Sequence, residues 1–162
     1  MTLATVAAAD RLVDLNGLLD TCQVDGFRAD FVSWGFYRMD PWRNYWHSHS
    51  FYEVCVSYAG AGRFSTGGVD HEVGTGVAFL ARPGDVHEIE ASAADPLGIA
   101  YWGFTLMPGR TAPDLSRPGW WSGLSRSDRP VVSDRLGALP ALVAALAAEA
   151  AAPRSGYPAA LA

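Results

Sequence analysis

The chain has 162 residues, 49% hydrophobic and 18% charged, with a formal net charge of −5. That length suits one domain with a real core, and the acidic balance excludes a basic nucleic-acid-binding face on this segment. No apolar run approaches the roughly 18 residues of a spanning helix, so no membrane partner is expected.

The start Met1-Thr2-Leu3-Ala4-Thr5 lacks the basic region of a secretion signal. Cys22 and Cys55 match no metal or redox spacing, so free thiols in a reducing cytoplasm are expected. Residues 8–22 place Leu12, Leu15, Leu18, Leu19 and Cys22 at helical steps behind Asp10, a good N-cap; this predicts a helix, with Gly17 its weak point. Asp25-Gly26 marks a turn. Phe27 to Tyr37 reads as a strand, with Phe27, Ala29, Phe31 and Ser33 opposite Arg28, Asp30 and Val32.

From 45 to 106 short strands alternate with turn residues. Strands are expected over 51–58, 63–65, 69–73, 77–81, 86–91 and 97–106, separated by Gly60-Ala61-Gly62, Gly67-Gly68, Gly74-Thr75-Gly76, Pro83-Gly84-Asp85 and Asp95-Pro96. Turns at that frequency predict an antiparallel sandwich or barrel, and no helical stretch interrupts them to build a parallel sheet. Residues 108–133 are irregular around Trp120-Trp121, whose burial demands packing on the barrel. Over 134–151, Leu136, Leu139, Val143 and Leu146 form a helical seam in an Ala-rich background, ended by Pro153. The expected organisation is a helical arm (1–24), a barrel (25–107), an irregular segment (108–133), a helix (134–152) and the start of a linker (153–162).

Chemistry concentrates in His47, His49, Glu53 and His87, which use three of the four histidines. Imidazole and carboxylate together suit a divalent Zn, Ni, Fe or Mn ion. Residues i and i+2 of an extended chain point to one side, so His47 and His49 can chelate from one strand. Glu53 would lie roughly 13 Å beyond His49 on a straight strand, so it reaches the same ion only if the chain bends across Ser50, Phe51 and Tyr52. The rival reading is a set of satisfied polar side chains; the complete ligand set favours metal.

Alternation extends the site. If Glu53 faces inward, Cys55 and Ser57 do too, while Tyr52, Val54 and Val56 face away; if His87 faces inward, so do Ile89 and Ala91, with Glu88 and Glu90 outside. Trp46 and Tyr101 are candidates for lining a ligand cavity, against the commoner role of strand aromatics in core packing. Arg82 is a candidate for binding a carboxylate, against a solvated rim. The helix seam packs back on the barrel or, favoured by its small flank, meets a second chain. No nucleophile–base pair, Gly-x-Ser-x-Gly elbow or phosphate-cradling loop is recognisable, so there are no catalytic candidates outside metal chemistry and no organic cofactor is expected.

The segment His47-x-His49-x3-Glu53-x6-Gly60 resembles the first motif of the cupin superfamily, and Gly76 through Pro83-Gly84 to His87 resembles the second. Pro41 and Ala91 stand where that pattern has glycine and asparagine. The resemblance implies a mainly β, cupin-type antiparallel jelly-roll barrel, here with a short N-terminal helix and a C-terminal helical segment, holding one metal on His47, His49, Glu53 and His87. The phrase Phe79 to His87 is similar to the N-terminal domain of AraC-type transcription regulators. That resemblance implies a cytoplasmic bacterial sensor with a small-molecule effector in the barrel, a homodimer through the C-terminal helix, and DNA contacted only by a downstream region. The alternatives are a metal-dependent cupin enzyme, a dioxygenase or isomerase, and a storage or scaffold cupin without chemistry.

Overall fold

The computed structural model describes residues 2–7 and 13–151. The chain opens with α1 (Leu3–Ala7), β1 (Val13–Asp14), β2 (Thr21–Val24) and β3 (Phe27–Tyr37). The barrel continues through β4 (Arg43–His47), β5 (Tyr52–Ala59), β6 (Ala61–Thr66), β7 (Val69–Gly74), β8 (Ala78–Ala81), β9 (His87–Ala91) and β10 (Gly98–Pro108). After it come α2 (Trp120–Ser125), β11 (Val132–Ser133) and α3 (Leu139–Ala151).

All strand pairings between these elements are antiparallel. One sheet runs β1-β3-β10-β5-β8-β11, with β2 added to β3; the other runs β4-β9-β6-β7. The turn signals act as expected. Gly67 and Gly68, with φ of 58° and 78°, close the hairpin in which Thr66 faces Val69. Two consecutive left-handed residues match the twist of a tight hairpin, and glycine adopts them without strain.

The strand period divides the core in two. Cys55, Phe64, Phe79, Ile89 and Ile99 come from both sheets and fill the barrel interior. Trp34, Val56, Tyr58 and Ala100 emerge on the other face of the larger sheet, where Leu3, Val6, Val143 and Ala144 cover them. Cys55 and Val56 thus belong to opposite cores, as alternation requires.

The helix expected over 8–22 is not where the leucine spacing put it. The short N-terminal helix is α1; residues 13–24 hold β1, a turn and β2, and Asp10 and Leu12 lie outside the described residues. Asn16-Gly17 overrides the helical period. The Asp14 carboxylate accepts the Asn16 N–H at 2.9 Å, the Asn16 side-chain oxygen accepts the Trp34 N–H at 2.9 Å, and Gly17 sits at φ 78°. The C-terminal helix starts at Leu139 rather than 134. Pro140 cannot donate the hydrogen bond of an interior position but fits a first turn. Its seam is spent within the chain: Val143 is buried, and Leu136, Leu139 and Leu146 pack on the outer core.

Candidate metal centre and barrel cavity

β4 ends at His47, and His49 lies in the connection that follows, so the two do not share a strand as expected. A bulge between Asn44 and His47 shifts the register of β4 on β9 and exhausts the strand there. The His49 carbonyl instead accepts the Gly84 N–H at 2.9 Å. The chain then bends at Ser50 and Phe51, and β5 carries Glu53 back toward the histidines. His87 opens β9 directly opposite His47. Glu53 belongs to the larger sheet and the His47–His87 pair to the smaller, so the four side chains converge between the sheets.

One ligand atom from each of His47, His49, Glu53 and His87 lies within 4.8 Å of the others. Glu53 Oε2 is 3.3 Å from His87 Nε2 and 3.7 Å from His49 Nε2. The backbone fixes the imidazoles. His47 Nδ1 meets the Tyr45 carbonyl at 2.7 Å, His49 Nδ1 the Phe51 carbonyl at 2.8 Å, and His87 Nδ1 the Asp85 carbonyl at 2.9 Å. A carbonyl only accepts, so each Nδ1 carries its proton and any ring that is neutral keeps its lone pair on Nε2; when protonated, His87 Nε2 donates to Glu53 Oε2. His49 Nε2 is buried without a hydrogen-bond partner. A buried lone pair with nothing to accept is costly unless a cation supplies the missing contact. Three Nε2 atoms and one carboxylate therefore fit a divalent metal ion.

The same geometry shifts two protonation equilibria. Burial alone would disfavour charge on Glu53, but the hydrogen bond and charge of His87, with His49 and His47, outweigh it and hold the carboxyl below its ordinary 4.5. Burial likewise opposes a charged His87, but its bonds to Glu53 and the Asp85 carbonyl hold the imidazole above its ordinary 6.5. Deeper in the barrel, burial and the Glu53 charge push the Cys55 thiol well up, so it is a packed neutral group.

Beside the cluster is a cavity of about 280 Å3, lined by residues that include Glu53, Tyr101, Ile89 and Ile99. Sequence reasoning missed Tyr37, Trp42, Arg43 and Asn44 in its wall. Trp42 is held there by its indole N–H, which donates to the Leu97 carbonyl at 2.7 Å. The register of β4 on β9, which sets Asn44 opposite Ile89, would have identified part of this wall, but register is not written in one strand. Other nominated residues do different work. Cys55 and Ser57 face inward yet are fully packed, and the Ser57 hydroxyl donates to the Ala59 carbonyl at 3.3 Å. Trp46 projects from the bulge and is 53% exposed. Arg82 is neither ligand group nor rim: it is buried, and its guanidinium donates to the Leu124 and Arg129 carbonyls. Glu88 faces outward but is buried beneath Arg43, with which it pairs at 2.8 Å.

A family model for the AraC-like ligand binding domain matches residues 31–158. The chain belongs to that family. Its AraC-like domain is a mainly β, cupin-type barrel. No curated protein matches the sequence. Among solved structures the domain is similar to YhaK from Escherichia coli, at 14% identity over 65% of this chain and 41% of that one, with a TM-score of 0.44. It is similar to an RmlC-like cupin from Shewanella frigidimarina, at 15% identity over 64% and 87%, TM-score 0.41. A Bacillus subtilis oxalate decarboxylase with Mn(II) centres aligns at 19% identity over 51% of this chain, TM-score 0.39; the AraC-like domain spans only 26% of that protein.

Proposed function

We propose that this AraC-like domain is the effector-sensing module of an AraC-type transcription regulator, binding a small molecule in the barrel beside a divalent metal ion. The observation that carries the reading is the shared position of Glu53, which both faces the three imidazoles and lines the 280 Å3 cavity. His47, His49, Glu53 and His87 hold the ion, which supplies a fixed positive charge and a Lewis-acidic contact at the cavity wall. Asn44 and Tyr101 offer polar contacts to the effector, and Ile89 and Ile99 offer apolar ones. The effector acts by binding one arrangement of the domain more tightly than another. In this reading the protein is a cytoplasmic homodimer through α3, and DNA is contacted by a region downstream of residue 162.

Metal analysis of the purified chain tests the first step: about one divalent ion per chain is expected in the wild type and none in His49→Ala. Equal metal content in the two refutes the centre. Helix-turn-helix coding sequence beyond codon 162 decides for the regulator. The second reading, a metal-dependent enzyme, is favoured by the same Glu53 contact between cluster and cavity. Metal-dependent turnover of a substrate by this chain alone would decide for it.

A further inference from the structure

The cluster is tied to a distant segment by a residue that touches no ligand group. Arg82 follows Ala81, the residue paired with Glu53 across β5 and β8. Its main-chain N–H donates to the Asp85 carboxylate at 3.1 Å, closing the turn 82–85. That turn holds two of the imidazoles: the Gly84 N–H donates to the His49 carbonyl at 2.9 Å, and the Asp85 carbonyl accepts from His87 Nδ1 at 2.9 Å. The Arg82 side chain points the other way. It is 7% exposed, with Nε donating to the Leu124 carbonyl at 2.8 Å and Nη2 to the Arg129 carbonyl at 3.0 Å.

The strap 119–131 that receives these bonds holds α2. One end packs Trp120 and Trp121 on Phe27, and the other enters β11, which leads to α3. A buried cationic donor that loses its acceptor costs more than a neutral one. The guanidinium therefore favours one joint arrangement of strap and turn over partial detachment. An ion on His49 and His87 fixes the rings that hang on that same turn.

We propose that Arg82 is a positioning residue of the His47–His49–Glu53–His87 centre and links its occupation by a divalent ion to the order of the strap. The inference rests on the metal reading above. It supplies a route from the centre toward α3, and linkage makes the effect reciprocal: whatever loosens the strap weakens the ion.

Hydrogen exchange of the full chain with and without one equivalent of Zn2+ tests it. Zn2+ is expected to slow exchange over 119–131 by at least about threefold in the wild type. Arg82→Gln is expected to bind Zn2+ at least about fivefold more weakly and to lose the strap response. Trp120→Ala loosens the strap from its far end and is expected to weaken Zn2+ as well, which covers the case in which Arg82→Gln fails to fold. Zn2+ bound by the wild type with an unaltered strap, or at wild-type affinity in a folded variant, overturns the link and leaves the metal centre standing. A wild type that binds no Zn2+ overturns the metal reading and this inference together.

Discussion

At the scale of single residues, the proposed centre would set a divalent ion against protons for the same atoms of His47, His49, Glu53 and His87. The neutral Nε2 lone pairs that suit a metal are the atoms that protonate as pH falls. His87 is held above 6.5 and Glu53 below 4.5, mainly by each other once burial is overcome. The signs of their contributions differ. A raised His87 stabilises the metal-free fold below 6.5, and that contribution is lost as pH rises through its folded value. A depressed Glu53 stabilises it above 4.5, and that is lost as pH falls through its folded value. The pair therefore helps the metal-free protein most between 4.5 and 6.5. Urea unfolding in EDTA should show Glu53→Gln most destabilised relative to wild type near pH 5.5, with the gap narrowing at about pH 8.5; a gap that widens with pH would contradict the pairing. Zinc affinity should follow the opposite trend and rise with pH. The convergence of these four side chains was legible in sequence from their residue types and spacing. Cys55 and Ser57 were legible only in direction: alternation gives the face a side chain takes, not whether packing leaves it any surface. Arg82 was misread because its acceptors lie 42 and 47 residues away on an irregular segment.

At the scale of elements, glycines that look alike in sequence do different work. Gly68 lies at φ 78° with open space around it, so its role is conformational. Gly103 lies at the bulge of β10 on β3, where an added Cβ would sit 2.8 Å from Phe51 Cε2. The Phe51 ring stacks on His49 at 3.9 Å with only 4° between planes. Gly103→Ala should therefore push Phe51, tilt His49 and weaken zinc by about tenfold, the scale of outer-shell disruption. Gly68→Ala should cost about 1–2 kcal/mol of stability for a left-handed non-glycine and leave zinc affinity unaltered. Calorimetric zinc titration of the two variants checks the contrast, and equal affinities would refute the role of Phe51. β3 and the strands from β5 to β10 were readable because period-two alternation and left-handed turns are local properties. The segment 13–24 was not, because Asn16 acts through a bond to Trp34, 18 residues away.

At the scale of the whole molecule, the larger sheet serves two cores, and its outer one exists only because α1 and α3 cover it. This divides α3 into two faces with separable roles. Val143 is fully buried against the sheet, whereas Leu142, one residue away, is 62% exposed. The leucine seam suggested by the sequence belongs to the buried face, so self-association would have to use the other. Val143→Ala should destabilise the fold by about 2 kcal/mol through lost methyl contacts and the small void left behind. Leu142→Glu removes no buried contact and should leave the melting temperature of a dilute, monomeric sample within about a degree of wild type. If α3 joins two copies, the new carboxylate lies in the contact and must be desolvated there, so sedimentation at matched concentration should show a lower average mass for Leu142→Glu. Unchanged mass in a wild type that does self-associate would place the contact elsewhere. A wild type that stays monomeric across the concentration range would remove the dimer from the functional reading while leaving the barrel and its centre intact.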